Sequence, residues 1–131
     1  MTSITTRVAA IVLATGAAAT GLATASSAVA SAPVAKSTVT IKAEGLDLSG
    51  TVRSPRAACE GDRKVVVFKV VGTRGGGDDI RFASDTTEVQ NGVGVWSTGN
   101  TGTKGRFYAK IRKSGACAGD ASPTVRATRF S

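Results

Sequence analysis

The apolar and polar positions after residue 37 alternate with a period of two, which is typical of β-strands with one buried face. The segment 38–43 places its apolar side chains on one face, and the segment 46–52 repeats the pattern. The predicted inward positions are Val39, Ile41, Ala43, Leu46, Leu48 and Val52. Gly50 falls on the inward face of the second segment, which indicates a β-bulge or a close neighbour at that point.

Later segments predict further strands of two kinds. The segment 64–71 is apolar on both faces, which favours a central strand. The pair Asn91-Gly92 favours a type I′ turn that joins 87–90 to 93–97 as a hairpin. Trp96 in this hairpin is predicted to be a core residue, with a sugar-stacking surface residue as the alternative. The remaining predicted strands are 80–84, 106–113 and 124–130.

The composition also indicates an all-β domain. After residue 32, Val and Thr are abundant, Leu46 and Leu48 are the only leucines, and there is no Met. Such residues fit a pleated sheet better than a helix. Strands spaced about 8–12 residues apart with glycine turns are typical of a sandwich. We therefore predict a single antiparallel β-sandwich of about seven strands, immunoglobulin-like or prealbumin-like, over residues 37–131, with an irregular lead-in at 33–36.

The first 32 residues are typical of an export signal. Arg7 supplies a positive start, an alanine-rich apolar run follows, and the stretch 28–32 contains two overlapping A-x-A cleavage patterns. A transmembrane anchor is the alternative, but the glycines and alanines make the run weakly apolar and no charged stop follows it. We predict a signal peptide at 1–32, cleaved near Ala30 or Ala32, and a mature protein that is secreted and extracellular, without a membrane span.

The two cysteines, Cys59 and Cys117, suit a structural role. An even number of cysteines in an exported domain predicts a disulfide, and with two cysteines only one pairing exists. A redox pair is the alternative, but the spacing is not C-x-x-C. The bond would stabilise a small domain by about 4 kcal/mol, because it restricts the unfolded chain.

The charge balance and the missing histidine exclude several classes of protein. There are 17 Lys and Arg against 9 Asp and Glu, and the formal net charge is +8. The absence of His excludes Ser-His-Asp and Cys-His nucleophiles and His-ligated zinc, and two cysteines are too few for a four-cysteine zinc site. No carboxylates are spaced as glycosidases require. We therefore predict a protein with no catalytic residues, no metal and no cofactor.

A charged stripe in the strand 106–113 is the main candidate for a binding site. Phe107, Ala109 and Ile111 are predicted to face inward, which turns the residues of opposite parity outward over about 26 Å. These residues are Lys104, Arg106, Tyr108, Lys110 and Arg112. Four cations and one aromatic ring in line fit an anionic polymer. The alternative is the hydrated face of a half-buried strand.

Two other loop features carry weaker hypotheses. The acidic residues between 78 and 88 suggest a calcium site, because carboxylates are common calcium ligands. No calcium-loop pattern is present, so the sequence favours a hydrated loop without a metal. These residues are Asp78, Asp79, Asp85 and Glu88. The run Gly75–Gly77 lacks the Gly-Lys-Ser/Thr of a phosphate loop, so flexibility is its predicted role.

Several short segments together carry a family resemblance. They are 39–41, 50–52 ahead of Cys59, 63–70, Trp96, 105–110, and Cys117 leading into 123–125. They resemble small secreted actinobacterial proteins with an immunoglobulin-like, prealbumin-type β-sandwich, which are similar to carboxypeptidase-regulatory-like and collagen-adhesin B-type domains. The resemblance implies this fold and a non-catalytic role, without a defined ligand. Adhesin B-type domains often have a Lys–Asn isopeptide crosslink with the Asn on the last strand, but residues 123–130 contain no Asn. The disulfide would replace that crosslink here.

The sequence thus predicts a secreted, non-catalytic module that acts as a structural or interaction protein. Its predicted partner is an anionic cell-wall polymer, such as teichoic acid or acidic polysaccharide, or another extracellular protein; nucleic acid is not expected. The alternative is a secreted ligand-binding or inhibitor protein that uses a loop end of the sandwich, for example the loops 72–79 and 53–63.

Overall fold

The computed structural model describes residues 33–130 and has two antiparallel β-sheets that enclose one core. The predicted all-β sandwich is therefore confirmed. The predicted signal peptide at 1–32 lies outside the described residues. Within 33–130, no helix has both the length and the apolar character needed to cross a membrane.

Within residues 33–130, ten short strands form the two sheets. They are β1 (Thr38–Val39), β2 (Lys42–Glu44), β3 (Asp47–Arg53), β4 (Lys64–Lys69), β5 (Ile80–Thr86), β6 (Glu88–Gln90), β7 (Val93–Asn100), β8 (Gly105–Ile111), β9 (Asp120–Ala121) and β10 (Val125–Ala127). In the first sheet, β3 lies between β7 and the pair β1 and β2, and β6 extends the sheet beyond β7. In the second sheet, β8 lies between β4 and the pair β9 and β10, and β5 extends the sheet beyond β4.

The count of ten corrects the prediction of about seven strands. The predicted strand 38–43 is two strands, β1 and β2, which are separated by Thr40 and Ile41. The Thr40 carbonyl accepts a hydrogen bond from Trp96 Nε1 at 3.1 Å. Strand β9 was missed because it is two residues long and lies inside a polar loop, where no alternation can be recognised.

Two local predictions are confirmed by the backbone. Asn91 and Gly92 have φ angles of 52° and 77°, and both angles must be positive in a type I′ turn. This turn joins β6 to β7. The segment 64–71, which is apolar on both faces, contains β4, and β4 is a central strand between β8 and β5.

The core is continuous between the sheets. Trp96 is only 1% exposed, so the prediction of a core tryptophan is confirmed. The inward positions of β8 are buried as predicted, and so are those of β1 and β3, whereas Ala43 is half-buried at the edge. Buried core residues include Val39, Leu48, Val52, Val65, Val67, Phe107, Ala109, Ile111 and Ala127.

The predicted disulfide between Cys59 and Cys117 is confirmed. Cys59 ends a short 3₁₀ helix, Ala57–Cys59, and the two Cα atoms are 5.4 Å apart. Ala35 bridges to Cys117, since Ala35 N donates to the Ala116 carbonyl and Ala118 N donates to the Ala35 carbonyl. The lead-in at 33–36 is therefore fixed to the same loop that the disulfide anchors.

Gly50 lies where two backbones approach each other closely. The register between β3 and β7 shifts between Leu48 and Ser49, and a Cβ atom on Gly50 would overlap the Thr40 carbonyl oxygen. The same Cβ atom would lie 2.8 Å from Trp96 Nε1. The close neighbour predicted at Gly50 is thus confirmed, whereas the bulge lies before Ser49, where Thr98 of β7 has no partner in β3.

Gly50→Ala is expected to lower the free energy of unfolding by about 2–3 kcal/mol, because the Thr40 backbone cannot yield as a flexible side chain could. Urea denaturation monitored by the fluorescence of Trp96 measures this loss. Ser49→Ala, one residue away, is the matched control and should change stability by less than about 1 kcal/mol. Equal stabilities of the two variants would contradict the proposed steric role.

Candidate functional site

The outer face of the second sheet holds most of the predicted stripe. Phe107, Ala109 and Ile111 are all no more than 1% exposed on the core side, so the residues of opposite parity in β8 point away from the core. In the register, Tyr108 lies opposite Phe68, and Lys110 lies opposite Val66. The outer face is thus built from the two central strands, β4 and β8.

The five stripe residues are not equally accessible. Lys104 precedes β8 and is exposed, as are Lys110 and Arg112, whereas Arg106 is half-buried. Tyr108 is only 8% exposed although it lies on the outer face. The stripe is therefore interrupted at its centre, and its cations fall into two separate groups.

A loop between β4 and β5, residues 72–79, covers the centre of the stripe, and we call it the strap. The guanidinium of Arg74 lies 4.0 Å from the centroid of the Tyr108 ring, whose other neighbour is the stacked ring of Phe68 at 5.4 Å. The Tyr108 hydroxyl donates to Asp79 Oδ2 at 2.7 Å. These contacts explain why an outward tyrosine is buried.

Two further hydrogen bonds fasten the strap across the sheet. Arg106 Nη2 donates to the Gly72 carbonyl at 2.8 Å. Arg74 Nη1 donates to Thr124 Oγ1 at 2.9 Å, on the far side of β8. Arg106 therefore holds the strap with its guanidinium, which makes it less available to a ligand than the sequence suggested.

Asp79 organises the strap from within. Its Oδ2 atom also accepts a hydrogen bond from Gly75 N at 2.9 Å, and its Oδ1 atom accepts one from Val71 N at 3.4 Å. Gly75 and Gly77 have φ angles of 79° and 99°, which glycine adopts without strain. The run Gly75–Gly77, predicted to be flexible, forms a hydrogen-bonded turn.

The acidic residues of the calcium hypothesis do not converge. Asp79 accepts hydrogen bonds within the strap, and Asp85 Oδ2 accepts one from Ser97 N at 2.8 Å on the other sheet. Within residues 33–130, no group of three or more acidic, Cys or His residues is arranged to hold a metal ion.

The contact between Asp79 and Tyr108 perturbs both groups. Hydrogen bonds from Gly75 N–H and then from the Tyr108 hydroxyl lower the pKa of the Asp79 carboxyl below its ordinary value. Burial raises the pKa of Tyr108, and the Asp79 carboxylate raises it further. The Asp79 contribution to stability is therefore present above the ordinary carboxyl pKa and is lost as the pH falls through its folded value. The Tyr108 contribution is present below the ordinary phenol pKa and is lost as the pH rises through its folded value.

Tyr108 is the single tyrosine of the chain, so its ionisation can be observed directly. In a titration followed by phenolate absorbance, its midpoint is expected above the ordinary value of about 10. Asp79→Asn should lower the midpoint without fully restoring the ordinary value, because burial remains. Asp78→Asn is the control and should leave the midpoint unchanged; an equal shift in both variants would refute the specific contact with Asp79.

A shallow groove of about 370 Å³ opens on the outer face at the end of β8 that the strap does not cover. Half-buried Val66 lies in it, and we call this site the basic groove. Its five exposed cations are Lys64, Arg81, Lys110, Arg112 and Lys113. One carboxylate, that of exposed Asp62, also lines the groove.

A buried arginine supports one wall of the basic groove. Arg63 is 4% exposed, and its Nη1 atom donates to Ser37 Oγ at 3.1 Å and to the Cys59 carbonyl at 2.9 Å. Its Nη2 atom donates to the carbonyls of Arg112 and Ala118, both at 2.9 Å. Burial lowers the pKa of Arg63, but a guanidinium is not deprotonated in proteins, so the side chain keeps its charge at neutral pH.

The cations of the outer face have no acidic partners in direct contact. The ion pair between Lys42 and Glu44, 3.0 Å long, is the only one found within residues 33–130, and it lies on the first sheet. Asp79 accepts hydrogen bonds within the strap, and Asp120 Oδ2 accepts one from Val39 N at 2.8 Å. With five exposed cations against the one carboxylate of Asp62, the basic groove carries a net positive charge.

The structure brings together residues that the sequence pattern left apart. Lys110 and Arg112 join Lys64, Arg81 and Lys113 in the basic groove, whereas Lys104 and Arg106 lie towards the other end of β8. The alternation in β8 gave no indication of Lys64, Arg81 or Lys113, which lie outside that strand. The sequence does show Lys64 as a cation at the start of the segment that is apolar on both faces. To place Lys64 in the same site as Lys110, however, the register between β4 and β8 must be known.

The loops 53–63 and 72–79 do not form a common loop end. The first loop leads into Lys64 at the start of β4, and the second follows Lys69 at its end. A ligand binder that uses a loop end would therefore use one of these two loops without the other. A scan of protein-family models, a search of curated protein sequences and a search of solved structures each found no significant match.

Proposed function

We propose that the mature chain is a secreted, non-catalytic β-sandwich module that serves as a structural or interaction protein at the cell surface or in the extracellular space. In this proposal it contacts an anionic cell-wall polymer through the outer face of the second sheet. The export signal predicted at 1–32 supports secretion, and the disulfide between Cys59 and Cys117 suits an oxidising environment. Removal of residues 1–32 takes away one cation, Arg7, and no acid, so the mature chain stays strongly basic.

The observation that carries the proposal is the charge of the outer face. Exposed Lys and Arg side chains from β4, β5 and β8 point the same way, and within 33–130 none of them pairs with a carboxylate. Such a surface attracts polyanions and gains free energy from the release of their counterions. The rigid sheet holds these cations in place, so little backbone entropy is lost when a polymer binds.

The roles of the carboxylates support a non-catalytic function. Glu60 Oε2 accepts a hydrogen bond from Ser54 N at 3.1 Å, Asp85 and Asp120 accept from backbone N–H groups of the first sheet, and Asp79 fastens the strap. Each of these acids accepts a hydrogen bond that holds the fold or the strap, so its carboxylate already has a structural task.

The test is retention of the purified mature protein on isolated cell wall. At low salt we expect binding, and at about 1 M salt, where the Debye length is only ~3 Å, we expect release. A control variant with two charge reversals on the first sheet, Lys42→Glu in β2 with Arg53→Glu in β3, should still bind. Failure of the parent protein to bind at low salt would refute the proposal and favour a loop-end ligand binder.

A further inference from the structure

We propose that the basic groove binds a polymer of polyol units linked by phosphodiesters, with its phosphates on the groove cations and its carbon chain over Val66. This inference rests on the proposed function and deepens it, since it assigns the site and the chemistry of the ligand. It also moves the centre of binding away from the stripe predicted in β8.

The first support is the convergence of cations from separate parts of the chain. Lys64 begins β4, Arg81 comes from β5, and Lys110 is directly opposite Val66 in the sheet. Arg112 and Lys113 follow the end of β8 and complete the rim. Three lysines and two arginines around one half-buried valine form a site about the size of one or two phosphate groups with their linkers.

The second support is the buried charge in the wall. The guanidinium of Arg63 bonds only to neutral oxygens, three carbonyls and one hydroxyl, so its positive charge is not neutralised by a carboxylate among the described residues. A charge in a low-dielectric setting acts over a longer range than one in water. Arg63, which also lines the groove, therefore adds to its positive potential.

The third support concerns the ligands for which the groove is less suited. Bases of single-stranded nucleic acid and many sugar rings bind by stacking on exposed aromatic side chains. On this face the rings of Phe68 and Tyr108 stack on each other, and Arg74 covers Tyr108. Trp96 is buried on the other sheet, and exposed Phe130 follows β10, whose end pairs with the opposite end of β8.

The strap fixes the position of the polymer along the face. It covers Tyr108 and engages Arg106, so the half of the face near the start of β8 presents a folded loop to a ligand. The half near the end of β8 presents open cations over an apolar floor. A chain of phosphates joined by short carbon linkers can place its phosphates on these cations and one linker over Val66.

The test compares two double charge reversals of equal net charge on the same sheet. The groove variant is Lys64→Glu with Lys113→Glu, and the matched control is Lys104→Glu with Arg126→Glu at the opposite end of β8. All four side chains are exposed, so both variants should fold, and thermal unfolding checks this. The probes are poly(glycerol phosphate), polygalacturonate as a carboxylate polymer, and a single-stranded DNA oligonucleotide, with binding measured by titration calorimetry at low salt.

We expect the parent protein to bind poly(glycerol phosphate) more tightly than the other two probes. The groove variant should bind it at least about tenfold more weakly, with a shallower salt dependence, whereas the control should keep most of the affinity. An equal loss in both variants, or a larger loss in the control, would overturn the assignment to the groove while leaving the proposed function intact. A preference for polygalacturonate or DNA would overturn the phosphodiester assignment, and no binding to any probe, together with no retention on cell wall, would overturn the proposed function as well.

Discussion

Replacement of Arg63 by alanine is expected to lower the free energy of unfolding by about 4 kcal/mol, because four buried or half-buried oxygen acceptors lose a charged donor at once. Three of them are backbone carbonyls that cannot turn to water without moving the chain, at Cys59, Arg112 and Ala118. The fourth is Ser37 Oγ, in the segment that leads into β1. Arg63 thus joins three segments that no continuous strand connects.

Chemical denaturation of Arg63→Ala and two companions separates this role from charge alone. Arg63→Lys keeps the cation but cannot reproduce the planar fork, so it should recover only part of the loss. Arg112→Ala is the control, because its carbonyl, rather than its side chain, accepts from Arg63; stability should change by less than about 1 kcal/mol. A loss below about 1 kcal/mol in Arg63→Ala would mean that water replaces the guanidinium without difficulty.

The fold could be predicted from the sequence wherever burial is one-sided. Alternation located β3 and β8 because each has one face in the core, and Asn91-Gly92 located the turn between β6 and β7 because few residues adopt its two positive φ angles. Alternation could not show that 38–43 divides at Thr40. At that point the Thr40 carbonyl accepts a hydrogen bond from Trp96, which is 56 positions away in the chain.

The candidate site was harder to predict, because it depends on register and on one loop. The alternation of inward and outward residues in β8 predicts Tyr108 on the outer face, and Tyr108 does lie there. The alternation contains no information about the loop in which Arg74 and Asp79 fold back to cover the ring. It likewise could not bring Lys64 near Lys110, since the pairing of β4 with β8 is set by long-range packing of both strands. In the sequence, Arg63 is one of several cations beside a polar loop, and nothing marks it as buried. Its burial becomes apparent only in the structure, where the segments that hold Ser37, Cys59 and Ala118 surround it.

Removal of the disulfide between Cys59 and Cys117 is expected to destabilise the domain by about 4 kcal/mol, since a cross-link over 58 residues restricts the unfolded chain strongly. For a domain of this size that is a large part of the total stability. Denaturation of Cys59→Ala with Cys117→Ala measures the effect, and reduction of the parent protein should give a similar value. Since Cys59 is fully buried and Cys117 nearly so, reduction should require partial unfolding and proceed slowly.

The disulfide and Arg63 act on the same junction, so their effects should not add. Arg63 donates to the carbonyl of Cys59 and to that of Ala118, next to Cys117, so the bond and the guanidinium hold the same two loops together. Without the disulfide these loops are less ordered, and Arg63→Ala then has fewer fixed acceptors to leave unpaired. We expect a coupling free energy of about 0.5–3 kcal/mol in a double-mutant cycle, with the combined loss smaller than the sum. Strict additivity would show that the disulfide acts on the unfolded chain alone and that Arg63 holds the junction by itself.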